Sequence, residues 1–317
     1  MMNVKYSVVV PVFNEEEVIS ESYKRLTNVM REIGEPYEIV FVDDGSRDKT
    51  FEMIKDISKS DNAVRLVSFS RNFGHQPAVS AGINESSGEA VIVIDADLQD
   101  PPEIIPKMIK KWKAGFQVVY GKRLKRQGET FFKKLTAKMF YRFLSSMTNV
   151  KIPVDTGDFR LIDRKVCDTF SALTERNRYI RGLISWVGFS QTYVEYIRDE
   201  RFAGETKYPL KKMIKFASDG IMSFSYKPLK LATYLGFIVS AASFVYMIVV
   251  IIQRLLGHAA AIGWASTIAA LLLLNGITLI ILGIMGSYIG RIYDEVQNRP
   301  LYIIKDKIGY DEQEKND

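Results

Sequence analysis

Two acidic residues, Asp95 and Asp97, directly follow an apolar run, Val91–Ile94. The run is rich in β-branched side chains and predicts a strand that is buried on both faces. Along an extended backbone, residues two apart point to the same side, so both carboxylates would face one ligand. Because Mg²⁺ is usually held by one or two carboxylates and by phosphates, the pair indicates a Mg²⁺ or Mn²⁺ site that also binds a diphosphate. The alternative is an Asx turn that caps the helix starting at Pro101 and Pro102.

The elements that would position this pair alternate between strand and helix. Predicted strands span residues 7–12, 38–42, 64–69, 91–94 and 117–120, and helical spacing fills most of the segments between them. This alternation predicts an α/β fold with a mostly parallel sheet, whose ligands bind beyond the carboxyl ends of the strands. Four polar clusters stand at those ends: Asn14 with Glu15, Asp43 with Asp44, Arg71 with Asn72, and Asp95 with Asp97. We therefore expect one site at one edge of the sheet.

The motifs that are missing narrow the kind of ligand. No Gly-x-Gly-x-x-Gly follows the first predicted strand, and the chain contains no Gly-Lys-Ser or Gly-Lys-Thr of a P-loop. Cys167 is the only cysteine, and His75 and His258 are the only histidines. A disulfide within the chain and a metal site made of several Cys or His are therefore not expected. Acidic residues at the strand ends, without these motifs, fit a nucleotide whose diphosphate is held by a metal ion better than NAD or a nucleotide bound by a P-loop.

Two long segments of the C-terminal part carry no Asp, Glu, Lys or Arg: residues 231–252 and 259–290. At about 1.5 Å per residue, a helix of either length crosses a hydrocarbon core of about 30 Å. These segments predict two transmembrane helices, at about 231–252 and 264–290, joined by a short turn that contains Arg254 and His258. The alternative is a helical hairpin buried inside a soluble protein.

Basic residues flank both predicted spans on the same side. Lys227 and Lys230 precede the first span, and Arg291, Arg299, Lys305 and Lys307 follow the second. By the positive-inside rule, the N-terminal part and the tail are both expected in the cytoplasm.

The first residues lead directly into a strand, so we expect no signal peptide. The net charge of +6 suits a protein at an anionic membrane surface; nucleic acid binding is the rival explanation, but it gives no reason for two spans.

Five short segments occur in a set order along the chain: Val10–Glu16, Asp43–Ser46, Asp95–Glu103, Thr156–Leu161 and Arg201–Tyr208. Together with the two spans, they resemble the family 2 glycosyltransferases, specifically the membrane-bound polyprenyl-phosphate glycosyltransferases related to dolichyl-phosphate mannose synthase. The resemblance covers essentially the whole chain. It implies a GT-A nucleotide-sugar-binding domain, a UDP-sugar donor, Mg²⁺ or Mn²⁺, and inverting transfer of a sugar to a polyprenyl phosphate, in bacteria undecaprenyl phosphate.

One departure from the wider family bears on the product. Processive members carry Gln-x-x-Arg-Trp after the acceptor region, and the nearest candidate here, Ser185-Trp186, lacks that motif. The missing motif therefore favours the transfer of a single sugar over the synthesis of a polymer.

The resemblance also assigns roles to residues at the strand ends. It places Pro11, Asn14, Glu15, Asp43, Asp44 and Arg71 in the nucleoside pocket, Asp95 and Asp97 at the metal and diphosphate, and Gln99 and Asp100 beside the sugar. It implies Asp97 and Asp158 in catalysis, Asp158 as the base; for Asp158 a helix cap or a partner for Arg160 is the alternative. A phosphate monoester, whose second pKa is about 6, is mostly ionised at pH 7. Asp158 is therefore expected to position the acceptor or the sugar, or to accept the proton left on the monoanion.

Between Lys122 and Tyr226 the sheet pattern gives way to segments with helical periodicity. Apolar stripes with basic flanks run through residues 132–147 and 210–224, as in helices that lie in the membrane interface. Each stripe could instead pack on the sheet as ordinary core. Arg201, Lys207, Lys211 and Lys212 are placed to bind the acceptor phosphate. Arg181 could bind the same phosphate or pair with Asp199 or Glu200.

These features divide the chain into four parts. They are a nucleotide-sugar-binding core at 1–125, an acceptor-side region with interfacial amphipathic helices at 126–228, two transmembrane helices at 229–292, and a cytoplasmic tail at 293–317. The expected partners are a UDP-sugar, a polyprenyl phosphate lipid and the membrane. Nucleic acid is not expected as a partner. The sequence leaves open whether the protein is a monomer or a homo-oligomer. The alternatives are an inactive relative that only binds the nucleotide-sugar and a processive polysaccharide synthase. The sequence does not specify the sugar.

Overall fold

The computed structural model describes residues 4–124, 156–199, 225–256 and 263–310. Within them, the strands are β1 (Tyr6–Val12), β2 (Tyr37–Asp43), β3 (Val64–Phe69), β4 (Ala90–Val93), β5 (Val118–Arg123), β6 (Thr156–Asp163), β7 (Gln191–Tyr196) and β8 (Ile304–Ile308). The helices are α1 (Ile19–Ile33), α2 (Thr50–Ser60), α3 (His75–Glu85), α4 (Ile105–Lys113), α5 (Arg164–Ser171), α6 (Ile180–Trp186), α7 (Lys227–Leu255) and α8 (Trp264–Gln297). A short 3₁₀ turn, Pro102–Ile104, precedes α4.

All of these strands belong to one sheet, in the order β7-β5-β6-β4-β1-β2-β3-β8. β1 runs parallel to β2 and β4, β2 to β3, and β5 to β7. β6 lies antiparallel between β4 and β5, and β8 pairs antiparallel with β3. Consequently the carboxyl ends of β1–β5 and β7 meet at one edge, together with the first residues of β6 and β8.

Helices cover both faces of the sheet. Every residue of β1 is buried, as expected for a parallel strand between two helical layers. The core on one face includes residues of α1, α2 and α4, and the core on the other includes residues of α3, α5 and α6. Gly82 lets α3 approach β1 closely, because a Cβ atom at this position would lie 2.1 Å from a methyl carbon of Val9.

The predicted α/β fold with a mostly parallel sheet is confirmed, and each of the five predicted strands is present. Three further strands were not predicted. β6 and β7 lie where the sheet pattern was expected to give way to helices, and β8 lies in the predicted tail. The sheet therefore continues beyond the first 125 residues and receives its last edge strand from the C-terminal part of the chain.

The two predicted spans are long helices. α7 and α8 contain two stretches, Lys227–Gln253 and Ala270–Gln297, that are long and apolar enough to cross a membrane. Their large apolar side chains, such as Phe237 and Leu272, are exposed. A helical hairpin buried in a soluble core, the alternative from the sequence, would show the opposite.

The C-terminal end of α8 lies against the sheet domain. The Glu295 carboxylate accepts the backbone N–H of Arg176 at 2.8 Å, and the Arg176 guanidinium donates to the Asn298 side chain. Beyond the helix, Tyr302 stacks on Phe69 of β3 with ring centroids 5.0 Å apart. The helical hairpin and the sheet are therefore in direct contact on the side of α8 that continues into β8.

Candidate active site

The last residue of β2, Asp43, and the first residue after it, Asp44, form a buried acidic pair. Asp43 accepts the N–H of Ser46 and a serine hydroxyl of β3, both at 3.0 Å. Asp44 accepts the N–H groups of Phe73 and Gly74 at 2.6 and 2.9 Å. The two carboxylates hold the loops after β2 and β3 in place, and their predicted contact with a nucleoside stays a prediction.

The loop after β1 is fastened to the same region. Asn14, whose φ of 54° is left-handed, accepts the N–H of Arg47 at 2.8 Å through its side-chain oxygen. The N–H of Glu15 donates to the Thr50 hydroxyl at 2.8 Å. Pro11 lies in β1 just before this loop. The predicted nucleoside-binding residues of β1 and β2 are thus brought to one edge of the sheet.

A cavity of about 460 Å³ opens beside these loops. Its lining includes Asp43, Ser46, Arg47, Phe51, Arg71 and Lys305, the last from β8. Gly45 has a φ of +71°, and a Cβ atom there would lie 2.6 Å from the carbonyl carbon of Arg71, so glycine is needed for the two loops to approach. The volume suits a small-molecule site. Of the predicted nucleoside-binding residues, Asp43 and Arg71 line this cavity, whereas Pro11, Asn14, Glu15 and Asp44 lie outside its lining.

The carboxylates Asp95 and Asp97 follow β4, as predicted. Asp97 accepts the N–H of Gln99 at 3.1 Å, and Leu98 between them has a left-handed φ of 58°. This is an Asx turn, but among the described residues no side-chain hydrogen bond caps the 3₁₀ turn or α4, so it does not cap the helix as the alternative from the sequence supposed. The turn and a metal site are compatible, because an ionised carboxylate offers about four lone-pair positions.

Asp100 is buried within a cluster of its own. It accepts the Tyr196 hydroxyl at 2.5 Å and the Arg123 guanidinium at 3.1 Å, and Arg198 lies 3.7 Å away. These partners come from β5, β7 and the residues after β7. Asp100 therefore joins the loop after β4 to β5 and β7, and its place beside the sugar stays a prediction.

Asp158, on β6, lies at the same edge as Asp95. Its carboxylate accepts two hydrogen bonds from Arg181, at 2.8 and 3.1 Å, and lies 3.2 Å from Nε2 of His75. The same nitrogen is 3.7 Å from Oδ1 of Asp95. Arg160, the partner considered from the sequence, is farther from the Asp158 carboxylate, at 3.7 Å. His75 thus stands between the carboxylate after β4 and the carboxylate on β6.

The two carboxylates on either side of His75 have opposite electrostatic environments. Burial raises the pKa of Asp95 to about 6, and neighbouring carboxylates add to the rise while His75 opposes it. Burial also disfavours ionised Asp158, but the charge of Arg181 and hydrogen bonds from His75 and Arg181 hold the pKa of Asp158 well below its usual range. Burial lowers the pKa of His75, yet Asp158 and Asp95 outweigh it and raise that pKa to about 9. At neutral pH the site therefore contains an anionic Asp158 between two cations.

The donor set fits a hard divalent cation. Asp95 and Asp97 supply carboxylate oxygens just after a strand end, and these are the hard ligands that Mg²⁺ and Mn²⁺ prefer. In the part of the chain that the structure describes, no group of three or more His, Cys, Asp or Glu forms a complete ion site. Mg²⁺ or Mn²⁺ would accordingly be held by this pair and would complete its coordination with a diphosphate and water.

Most of the predicted acceptor-phosphate residues cannot be placed. Arg201, Lys207 and Lys211 lie outside the described residues, as do the interfacial helices predicted at 132–147 and 210–224. Arg181 is described, and it pairs with Asp158 and also donates to the Thr156 carbonyl at 3.0 Å. Asp199, one of its predicted partners, has an ion pair with Arg25 at 3.7 Å.

Two residues that the structure brings to this edge, His75 and Lys305, were not predicted from the sequence. His75 follows Gly74 just after β3, so a helix start at the ligand edge was a usable signal, but a single histidine has no distinctive spacing. Lys305 reaches the cavity only because β8 pairs with β3. No local pattern in the tail indicated that pairing.

The site lies on an α/β sheet with carboxylates at its ligand edge, and the chain continues into a pair of long apolar helices. Residues 7–170 match the family model of glycosyl transferase family 2, and residues 227–292 match that of the GtrB C-terminal hairpin. The chain belongs to glycosyltransferase family 2 and is a glycosyltransferase. The predicted family, enzyme class and C-terminal two-helix hairpin are confirmed.

Full-length relatives agree with this assignment. The uncharacterized glycosyltransferase YkcC of Bacillus subtilis is 58% identical over 307 residues, covering 97% of this chain and 95% of that protein. The bactoprenol glucosyl transferase of Shigella phage SfII is 46% identical over 305 residues, covering 95% and 97%. Among solved structures, glucosyl-3-phosphoglycerate synthase from Mycobacterium tuberculosis in complex with Mn²⁺ is 20% identical, with a TM-score of 0.47, covering 69% of this chain and 78% of that one. The two curated relatives match over the helical hairpin as well as the sheet.

Proposed function

We propose that this glycosyltransferase moves one sugar from a UDP-sugar to a polyprenyl phosphate at the cytoplasmic face of a membrane, giving a lipid-linked sugar for glycosylation of the cell envelope. One observation carries the proposal: the carboxylate after β4 and the carboxylate on β6 converge on His75, at 3.7 and 3.2 Å. This convergence occurs in a chain that continues into two membrane helices. The relative from phage SfII, named a bactoprenol glucosyl transferase, supports a polyprenyl acceptor.

The donor would bind along the carboxyl edge of β1–β4. The cavity lined by Asp43 and Arg71 would receive the nucleoside, and Asp95 with Asp97 would hold Mg²⁺ or Mn²⁺ against the diphosphate. When bound, the metal ion supplies Lewis-acid stabilisation of the negative charge that develops on the departing UDP. Gln99, held next to Asp97 by the Asx turn, would lie on the sugar side.

The acceptor would approach from the side of β6. Its phosphate oxygen attacks the anomeric carbon of the sugar, the bond from that carbon to UDP breaks, and the configuration inverts. Because the lowered pKa of Asp158 makes this carboxylate a weak proton acceptor, we assign it a positioning role toward the acceptor or the sugar. Arg201, Lys207 and Lys211 are proposed to bind the acceptor phosphate, as inferred from the sequence.

The orientation in the membrane follows from two features. Basic residues stand on the domain side of both spans, as the positive-inside rule requires for a cytoplasmic domain. β8, which follows the second span, pairs with β3, so the chain on both sides of the hairpin belongs to one sheet. Both features support a hairpin whose connecting turn faces away from the catalytic domain.

The test is a transfer assay in membranes that contain the protein. The membranes are incubated with undecaprenyl phosphate and a panel of radiolabelled UDP-sugars, including UDP-glucose, and the lipids are then extracted. We expect one UDP-sugar to give a labelled lipid that carries a single sugar, with inverted configuration at the anomeric carbon. Membranes containing Asp97→Asn serve as the matched control and should give little product.

The outcomes separate the alternatives. A labelled polymer that grows with time would favour a processive synthase. UDP-sugar binding without any labelled lipid, across the whole panel, would favour an inactive relative. Either result would overturn the proposal.

A further inference from the structure

His75 occupies the first position of α3, in a loop that is fixed by other parts of the site. The preceding Gly74 has a φ of 106°, in the region that favours glycine. Asp44 accepts the N–H groups of both Phe73 and Gly74. The backbone that carries His75 is therefore held from β2, the strand that also borders the donor cavity.

The imidazole of His75 points between two carboxylates that belong to different halves of the site. Its Nε2 atom lies 3.2 Å from Oδ2 of Asp158 and 3.7 Å from Oδ1 of Asp95. The shorter contact is within hydrogen-bond distance, and the longer one is an ion-pair contact only. The Asp158 bond is thus the one that defines the orientation of the ring.

Asp158 is held from two directions. Arg181 of α6 donates two hydrogen bonds to its carboxylate from the acceptor side. His75 reaches the same carboxylate from the donor side, 83 residues away in the sequence. β6 pairs with β4 as far as Val93 and Arg160, so the backbones that carry Asp158 and Asp95 already lie side by side, and His75 is a described side chain that contacts both carboxylates.

A purely structural role for His75 fits the geometry less well. The side chain is 39% exposed, whereas a histidine that serves the core would be enclosed by apolar neighbours. Its described partners, Asp95 and Asp158, are both carboxylates that take part in the proposed reaction.

We propose that His75 is a positioning residue of the sugar transfer: through its hydrogen bond, it fixes the orientation of the Asp158 carboxylate relative to the carboxylates proposed to bind the metal. This inference rests on the proposed function, since it assigns Asp158 to the transfer step. His75 is not required to touch either substrate. Its loss should lower kcat and leave binding of the donor nearly unchanged.

The experiment compares three substitutions at one position. His75→Ala removes the ring, His75→Gln keeps an N–H donor at about the position of Nε2, and His75→Asn places a donor only near the position of Nδ1. We expect His75→Ala and His75→Asn to lower kcat about 10- to 100-fold, the range found when an outer partner of a functional ligand is lost. His75→Gln should recover activity to within about fivefold of the wild type.

Two further measurements distinguish positioning from other roles. KM for the UDP-sugar, and Mn²⁺ binding in the presence of UDP measured by electron paramagnetic resonance, should both change less than about threefold in His75→Ala. In an Asp158→Asn background, adding His75→Ala should lower kcat by less than about twofold, because residues that act as one unit are not additive.

Several outcomes would overturn the inference. If His75→Ala lowers kcat equally in the wild-type and Asp158→Asn backgrounds, His75 does not act through Asp158. If Mn²⁺ binding is lost, it acts through Asp95 instead. If all three variants lose activity and thermal stability together, its role is in folding. Wild-type transfer in the same assay keeps a failure of this inference separate from a failure of the proposed function.

Discussion

At the scale of single residues, two neighbouring carboxylates of the site have different surroundings. Partial burial, together with neighbouring carboxylates, raises the pKa of Asp95 to about 6, whereas Arg181 and His75 hold the pKa of Asp158 well below its usual range. A pair of titratable groups whose environments push their pKa values apart is typical of acid and base assignments in enzymes. Here Asp95 lies 3.7 Å from one cationic side chain, His75, whereas Asp158 is paired with both His75 and Arg181.

The first prediction concerns the metal. EDTA should abolish transfer, and Mg²⁺ or Mn²⁺ should restore it, because Asp95 and Asp97 are proposed to hold the ion against the diphosphate. Asp97→Asn should need at least about tenfold more Mn²⁺ for half-maximal activity. The measurement is a metal titration of kcat for both proteins, and wild-type metal dependence in Asp97→Asn would remove Asp97 from the site.

The second prediction concerns pH. Because the pKa of Asp158 lies well below its usual range, the carboxylate is ionised throughout pH 6 to 8, and its charge is lost only at much lower pH. A positioning role therefore predicts that Asp158→Asn lowers kcat by the same factor, about 100-fold, at pH 6 and at pH 8. Steady-state kinetics at the two values decide the matter. A loss that is much larger at pH 6, where more of the acceptor phosphate carries a proton, would instead indicate that Asp158 accepts that proton.

At the scale of elements, Asp100 shows how the loop after β4 is tied to β5 and β7. It is fully buried, and its partners Arg123, Tyr196 and Arg198 come from β5, from β7 and from just beyond β7. The buried Asp100 carboxylate accepts a hydrogen bond from the Arg123 guanidinium and lies near that of Arg198, so it links these segments strongly. Its removal leaves a buried cation without its partner.

The third prediction tests this cross-link. Asp100→Ala should destabilise the sheet domain by about 3–5 kcal/mol, because Arg123 and Tyr196 lose their shared acceptor. Thermal unfolding of the purified protein should show a Tm lower by about 10 °C. Asp199→Asn is the matched control, since that carboxylate is about half exposed and should shift Tm by little. An unchanged Tm in Asp100→Ala, with a raised KM for the donor, would contradict this prediction and would support the place of Asp100 beside the sugar.

How far the sequence predicts these elements depends on how local their signals are. β1 to β5 were predicted because apolar, β-branched runs end at polar clusters, and this pattern is contained within each strand. β8 reads Ile304-Lys305-Asp306-Lys307-Ile308, with three charged residues at its centre, and such a segment is typical of an exposed tail. It is a strand only because it completes the edge beside β3, where charged residues are common.

The same distinction separates the site residues. Asp95 and Asp97 could be predicted because their spacing has a direct meaning on a strand. The pairing of Asp158 with Arg181 and His75 could not, because it depends on how β6 and α6 lie against α3. Arg181 was assigned an acceptor phosphate or a partner just after β7, and the contact across the site was not among the options.

At the scale of the whole molecule, the chain leaves the sheet domain, forms the helical hairpin and returns to the same domain. β8 pairs with β3 from Leu66 to Phe69, and Tyr302 stacks on Phe69 just before it. Glu295 at the end of α8 accepts a hydrogen bond from Arg176. The hairpin is therefore held to the domain by contacts that follow the second span.

The fourth prediction compares two truncations. A chain that ends at Arg299 loses β8, Tyr302 and Lys305, so it should unfold at a lower temperature and show a KM for the UDP-sugar raised about tenfold or more, as the loss of one charged contact implies. A chain that ends at Tyr310 keeps all three and should match the full-length protein. Thermal unfolding and donor kinetics of the two proteins provide the check. Equal donor KM values would mean that β8 has no part in the donor site.

The position of β8 also has a consequence for how the protein is made. Chains fold from the N-terminus as they are synthesised, and β8 emerges from the ribosome only after both membrane helices. Until then β3 is an unpaired edge, open to pairing with other chains, and the cavity lacks the wall that contains Lys305. Completion of this cavity therefore comes after synthesis of the hairpin, so the newly made enzyme acquires the proposed nucleotide site only when its membrane segment is ready for insertion.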